Sequence, residues 1–327
     1  MTSRTMHKPG DHKPSVRELS VWKSMERRAG TIFAAVLLGI IVAPLAGAEE
    51  PAPSRWQALG FVTPAYIGAA DIDGGGEYES RVVAVGAGTM GPVGPRTRAG
   101  LTLAYSYSDN RFVTPTAFGP AAPWGNMERI GLSASVMRMG AKGWLFTVSP
   151  SADYFREEGA DLGDAFTYGA VLVAAKSFGE GRMLGLGVGA FSQLEDVRVF
   201  AFPVVDWALT ERWRINNPLQ AGPTGGAGLE INYRVSTAWA LGVGGAYREV
   251  AFRLRADGPY PGGVGQEGGV VAFLHAGTQP GQRLEIDLYA GAIINGQLEV
   301  QDLNGDALVS RDLGTAPIIG ATLKLAF

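Results

Sequence analysis

From residue 55 to the C-terminus, apolar side chains return at every second position in runs of about ten residues, and Gly, Pro, Asp or Asn closes each run. A period of two puts successive side chains on opposite faces of an extended strand, whereas a helix needs 3.6. The clearest run is 144–155, where Trp144, Phe146, Val148, Ala152 and Tyr154 share one face and Thr147, Ser149, Ser151 and Asp153 the other. Leu101, Leu103, Tyr105 and Tyr107 oppose Thr102, Ala104, Ser106 and Ser108 in the same way. Leu284, Ile286, Leu288 and Ala290 likewise oppose Arg283, Glu285 and Asp287. A chain built almost wholly of such runs folds as sheet.

A soluble sandwich alternates too, so further features must decide. Aromatics mark segment ends, as in the pairs Trp56 and Tyr66, Trp144 and Tyr154, and Trp239 and Tyr247; interfacial girdles of a membrane barrel have this pattern. The second face is Gly, Ala and Ser with charges among them, in a chain with 47 glycines. A packed soluble core would carry Val, Ile, Leu and Phe there. Connections alternate short (140–143, 179–182, 210–212, 235–238, 277–282) with long (69–78, 109–126, 157–164, 255–264, 302–314), as in barrels with tight periplasmic turns and long outer loops. The expectation is an all-β, transmembrane up-and-down antiparallel barrel of about 14 strands: 55–67, 79–90, 97–108, 127–138, 143–156, 165–177, 182–193, 198–208, 212–218, 226–235, 238–254, 265–276, 283–301 and 315–327. Segment 212–218 holds Asn216, Asn217 and Pro218; reading it and a neighbour as loop gives twelve.

Residues 1–48 read as a signal peptide. Lys23, Arg27 and Arg28 precede the apolar run TIFAAVLLGIIVAPLAG (31–47), Pro44 breaks it, and Ala46-Gly47-Ala48 fits cleavage after Ala48. Residues 1–24 are long for a leader's first region, and translation from Met25 would omit them. Residues 49–327 then form a single outer-membrane barrel domain with 21 basic and 28 acidic residues. No basic run exists, which excludes nucleic acid as a partner class. The absence of cysteine excludes a disulfide scaffold, thiolate metal sites and a thiol nucleophile. No cofactor or metal site is expected.

The chain ends on an alternating strand, Ile319, Ala321, Leu323, Leu325 and Phe327. This resembles the C-terminal signature of bacterial outer-membrane barrels, and the resemblance implies that Phe327 is read by the barrel assembly machinery. Residues 202–235, 240–254 and 263–267 resemble an uncharacterised family of bacterial outer-membrane barrels, which implies the same fold and location and no activity.

If the Trp, Tyr and Leu face meets lipid, the other parity lines the lumen: Arg98, Arg129, Asp153, Asp206, Arg214, Glu230, Arg234, Arg248, Glu285, Asp287 and Lys324. A charge facing the bilayer midplane costs about 2–4 kcal/mol, which drives these groups inward. They read either as a selective lining or as paired charges that stiffen a wide barrel. The outer loops carry acidic clusters (Asp71, Asp73 and Glu77; Glu157, Glu158, Asp161 and Asp164; Asp302, Asp306 and Asp312) that suit contact with lipopolysaccharide. DIDGGG and DLNGD lack the distal Glu of an EF-hand. His275 is the sole histidine after the leader and reads as interfacial. With no motif-flanked serine beside it, the chain is not expected to be an enzyme. Twelve to fourteen strands permit a narrow lumen, which loop 109–126 is placed to occlude. A porin-like passive channel for small solutes is the leading reading. A closed structural or adhesive barrel with acidic outer loops is the alternative.

Overall fold

The structure, a computed structural model, describes residues 55–327 without Glu180, Gly226 and the side chain of Gln193. The leader, with its cleavage position at Ala48, lies outside the described residues. Fifteen strands form one sheet: β1 (Gln57–Asp71), β2 (Glu77–Gly94), β3 (Thr97–Val113), β4 (Met127–Met139), β5 (Trp144–Glu157), β6 (Phe166–Ser177), β7 (Arg182–Gln193), β8 (Asp196–Ala208), β9 (Trp213–Asn216), β10 (Ala227–Arg234), β11 (Trp239–Arg253), β12 (Val264–Thr278), β13 (Leu284–Gln301), β14 (Ala307–Leu313) and β15 (Ala316–Ala326). Each strand up to β13 is antiparallel to its predecessor. β15 pairs with β13, from Leu284↔Leu325 to Ile293↔Ala316, and with β1, from Leu59↔Ala326 to Ile67↔Ile318, so the sheet closes on itself.

β14 and β15 are two stretches of one stave, separated by Gly314 and Thr315. β14 lies along the far part of β13, from Gly296↔Leu313 to Gln301↔Ala307. The barrel therefore has fourteen staves, the larger of the two numbers read from sequence. The expected loop 302–314 is corrected: Ala307–Leu313 is strand, and only the turn before it is loop. Asp306, Asp312 and Gly305 masked an alternation in which Val309 packs against the buried core while Leu308 and Ser310 point out.

The outward parity is apolar around the wall. Leu103, Leu132, Phe146, Leu172, Leu186, Leu241, Leu274 and Leu288 are all exposed. In water this band would far exceed the few hundred Å² of contiguous apolar surface that monomers tolerate. Against lipid it is the matched surface of a transmembrane barrel.

The inside is not the uniformly small and polar face expected from sequence. The inner wall of β4–β8 carries an apolar cluster of Met137, Leu145, Val171, Val173, Ala175, Met183 and Val204, flanked by Phe191 and Phe202. β7 supplies glycines there, and the phenyl rings of β8 lie over them. A Cβ on Gly187 or Gly189 would sit 2.3 Å from the ring of Phe202 or Phe200.

At the long-loop end the lumen is closed by aromatics. Trp124 from the β3–β4 loop contacts Phe112, Phe118 and Phe252 edge-on, with ring centroids 5.2–6.1 Å apart. β11 leans inward until Arg253 meets Arg156 of β5 in a parallel bridge across the barrel. Arg253 donates to Glu195 (2.6 Å), the Gly262 carbonyl (2.7 Å) and the Asp164 carbonyl (2.8 Å), fastening three loops. Glu157, expected on a solvated loop, is buried at this junction and accepts the backbone N–H of Gly125 at 2.8 Å.

The wall is incomplete in one place. β9 pairs with β8 only at Asp206–Ala208, and β10 begins at Ala227, opposite Tyr247. Beyond that level no strand among the described residues lies between β8 and β11. The chain after β9 turns inside instead. Thr63 Oγ1 on β1 donates to the Ala221 carbonyl at 2.7 Å. A Cβ on Gly222 would lie 3.1 Å from the Tyr289 hydroxyl on β13, and one on Gly320 of β15 would lie 2.9 Å from Pro223. β1 stands six staves from β9 in the ring, so Asn217–Gly225 crosses the lumen. Loop 109–126 was the segment expected to occlude the barrel. Its residues from Thr114 onward help close the outer mouth, and the segment after β9 is a second and deeper obstruction.

Candidate functional site

Below the crossing segment the inner wall of β10, β12, β13 and β15 gathers a charged cluster around His275. Nδ1 lies 2.6 Å from Glu230 Oε1 and Nε2 lies 2.9 Å from Asp287 Oδ1. The imidazole stacks on Tyr289 at 4.8 Å between ring centroids. Asp287 and Glu285 share the inward parity of β13, and Lys324 of β15 pairs with both, at 3.4 Å from Asp287. Glu230 belongs to β10, two staves from His275, and Gly242 of β11 lies between them. A Cβ on Gly242 would sit 2.2 Å from Glu230 Oε1. The glycine is thus a condition of the contact.

His275 is corrected from interfacial to luminal. Its place near the end of β12 suggested the membrane surface. Its parity, together with two carboxylates from strands distant in sequence, puts it inside. A carboxylate on each nitrogen suits an imidazolium, which donates from both. Neither nitrogen is left to take a proton from a hydroxyl nucleophile. Among the described residues no group of three or more His, Cys, Asp or Glu is placed to hold a metal ion.

The other charges singled out from sequence occupy inward parity on their strands and fall into separate sets. Arg129 donates to Asp153 at 2.8 Å on β4 and β5. Arg214 on β9 grips both carboxylate oxygens of Asp206 on β8, and Asn232 donates to Asn216 beside them at 2.9 Å. Arg98, Arg234 and Arg248 take part in no ion pair among the described residues. Sequence reading missed Tyr289, Asn232 and Thr63, which is hydrogen-bond partner to the crossing segment. It also missed the pairs Arg198–Glu249 (2.9 Å) and Arg253–Glu195 (2.6 Å) at the break in the wall. Arg198 takes the parity of Phe200 and Phe202 on β8, yet nothing in sequence brings β8 and β11 together when two strands separate them in order.

Phe327 lies at the barrel seam. Its N–H donates to the Ala58 carbonyl at 2.8 Å, and its side chain is exposed on the lipid-facing parity. In the turn after β13, Asp302 accepts the N–H groups of Asn304 (2.8 Å) and Asp306 (3.0 Å), and these bonds hold its carboxyl below the usual aspartate range.

No family model matches the chain, so the likeness of its C-terminal half to an uncharacterised barrel family finds no support there. No curated protein matches it in sequence. Solved structures that resemble it include an outer membrane channel from Pseudomonas putida F1, with 11% identity over 85% of this chain and 99% of that one and a TM-score of 0.45. The toluene transporter TodX of Pseudomonas putida shows 10% identity over 84% and 90%, with a TM-score of 0.41. The translocator domain of the autotransporter NalP from Neisseria meningitidis shows 12% identity over 94% and 97%, with a TM-score of 0.34. At such scores the architecture rests on the strand pairing described above.

Proposed function

We propose that the protein is a bacterial outer-membrane barrel that passes small solutes passively, along a route closed at rest by its own backbone. One observation carries this. Fourteen staves enclose more space than side chains fill, since that limit lies near eight; below the aromatic mouth a chain segment spans the lumen. Beneath it Arg214–Asp206 and the His275 cluster face the apolar inner wall of β4–β8, and Arg129–Asp153 lines the wall nearer the outer mouth. These pairs cancel much of their own charge, while Arg98, Arg234 and Arg248 have no ion pair among the described residues. Lipid and lipopolysaccharide surround the wall, and the assembly machinery inserts it through the strand ending at Phe327. Single-channel recording tests the reading: brief steps above baseline in a planar bilayer support it, and a folded barrel that never conducts removes it.

The closed structural or adhesive barrel keeps one observation in its favour. The outer mouth is packed with Trp124, Phe118, Phe252 and Tyr78, all buried, and its acidic loops face outward. A permanently silent barrel that binds lipopolysaccharide through those loops would support that reading.

A further inference from the structure

We infer that the segment after β9 has two seats, one across the lumen and one in the wall, and that exchange between them opens and closes the lumen below the aromatic mouth; this rests on the channel reading above. In the seat observed, Asn217–Gly225 obstructs the lumen. In the other, residues 217–221 continue β9 between β8 and β11.

The wall lacks a strand where the second seat would be. Among the described residues β8 from Asp196 to Val204 and β11 from Arg248 to Arg253 have no strand between them, and an open edge at hydrocarbon depth is costly. β8 is flanked there by outward Val197 and Val199, which are 67% and 62% exposed. Long side chains cross the gap in the ion pairs Arg198–Glu249 and Arg253–Glu195.

The sequence continues the strand pattern into that space. Trp213, Ile215, Leu219 and Ala221 keep one parity, interrupted by Asn217, and Arg214, Asn216, Pro218 and Gln220 keep the other. The register does too. Asp206 faces Asn216 and Trp207 faces Ile215, so a continued β9 sets Leu219 opposite Pro203 and Ala221 opposite Ala201. Asn217 already begins it. Its N–H donates to the Val205 carbonyl at 3.2 Å, and its side chain accepts the Val205 N–H (2.9 Å) and donates to the carbonyls of Pro203 (2.9 Å) and Gly228 (2.8 Å). The β9–β10 register sets Ala221 opposite Gly225, which leaves Gly222-Pro223-Thr224 as a hairpin turn.

Neither seat is deep. In the lumen, Gln220 Oε1 and the Tyr289 hydroxyl are buried without a hydrogen-bond partner among the described residues, a costly condition. In the wall, Pro203 and Pro218 each lack the N–H that the ladder asks of them at that level. The two prolines explain why the ladder stops after Asn217, and they keep the wall seat from trapping the segment.

The chain has no cysteine, so paired cysteines read the two seats directly. Ala221→Cys is combined with Thr63→Cys for the lumen seat or with Ala201→Cys for the wall seat. Each pair is oxidised in the folded, heat-modifiable barrel with copper–phenanthroline or bridged with a short bis-thiol reagent. Both pairs should cross-link, and Arg198→Gln with Glu249→Gln should raise the 201–221 yield several-fold. The 63–221 bridge should hold conductance at baseline until reduced, and the 201–221 bridge should raise it several-fold. A folded barrel in which 63–221 links and 201–221 never does has one seat, and the inference fails. It fails equally if both bridged forms conduct alike. Silence in every form, reduced ones included, would remove the channel reading, and the two cross-linking yields would still decide whether the segment moves.

Discussion

Arginine at Leu288 should destabilise the barrel far more than arginine at Glu285, three positions away on the same strand. Leu288 points outward, is 45% exposed, and stands between Ala276 of β12 and Ala321 of β15. It lies four residues beyond Leu284, where β13 begins. At roughly 3.3 Å per residue and a tilt near 40°, that is about 10 Å into an apolar band roughly 25 Å tall. Arginine costs about 2–4 kcal/mol near the midplane and ~0–1 at the interfaces, so Leu288→Arg should lower the folded-to-unfolded ratio by roughly 30- to 1000-fold. Glu285→Arg loses a pair with Lys324 and adds repulsion. Both side chains are about a quarter exposed, so water screens the change to about 1 kcal/mol. Equilibrium unfolding in phospholipid vesicles, followed by tryptophan fluorescence and gel mobility, gives both values. If Glu285→Arg proved the more damaging, the parity of β13, and with it the assignment of lipid and lumen faces, would be inverted.

Other consequences concern the interior and the seam. His275→Ala leaves Glu230 and Asp287 buried without their shared partner and should cost about 3–5 kcal/mol; adding Glu230→Gln should recover part of it, and the same unfolding experiment shows whether it does. Trp124→Ala empties the aromatic closure of the outer mouth and should cost about 3–5 kcal/mol, read as a lower temperature for loss of the heat-modifiable gel band. Deleting Phe327 removes its backbone bond to Ala58 and the terminal aromatic; insertion into native outer membranes should slow, and unchanged insertion would count against an assembly role.

Strand positions were legible because a wall facing lipid on one side enforces period two. In 144–155 and 284–290 the parity read from sequence is the parity found. What sequence hid depends on pairing between strands. The run LGLGVGAF at 184–191 shows Leu184, Leu186 and Val188 plainly as one face. That Phe200 and Phe202 cover Gly189 and Gly187 becomes visible only with the register of β7 and β8. The His275 cluster was hidden for the same reason, since Glu230 reaches it across Gly242 from a strand 45 positions earlier. β14 reads as loop in the sequence because its acids outweigh a short alternation. The crossing of the lumen had one local signal, Asn217-Pro218 followed by GPTGG, which marked a weak strand and gave no direction for the chain that leaves it.

The most direct test of a barrel obstructed by its own backbone is single-channel conductance of the folded protein beside a variant in which residues 219–224 are replaced by a Gly-Ser link. The account predicts brief, infrequent steps for the natural chain and long-lived steps of larger amplitude for the variant, with both migrating as heat-modifiable barrels. A folded variant as silent as the natural chain would contradict the account and leave the aromatic mouth as what closes the lumen.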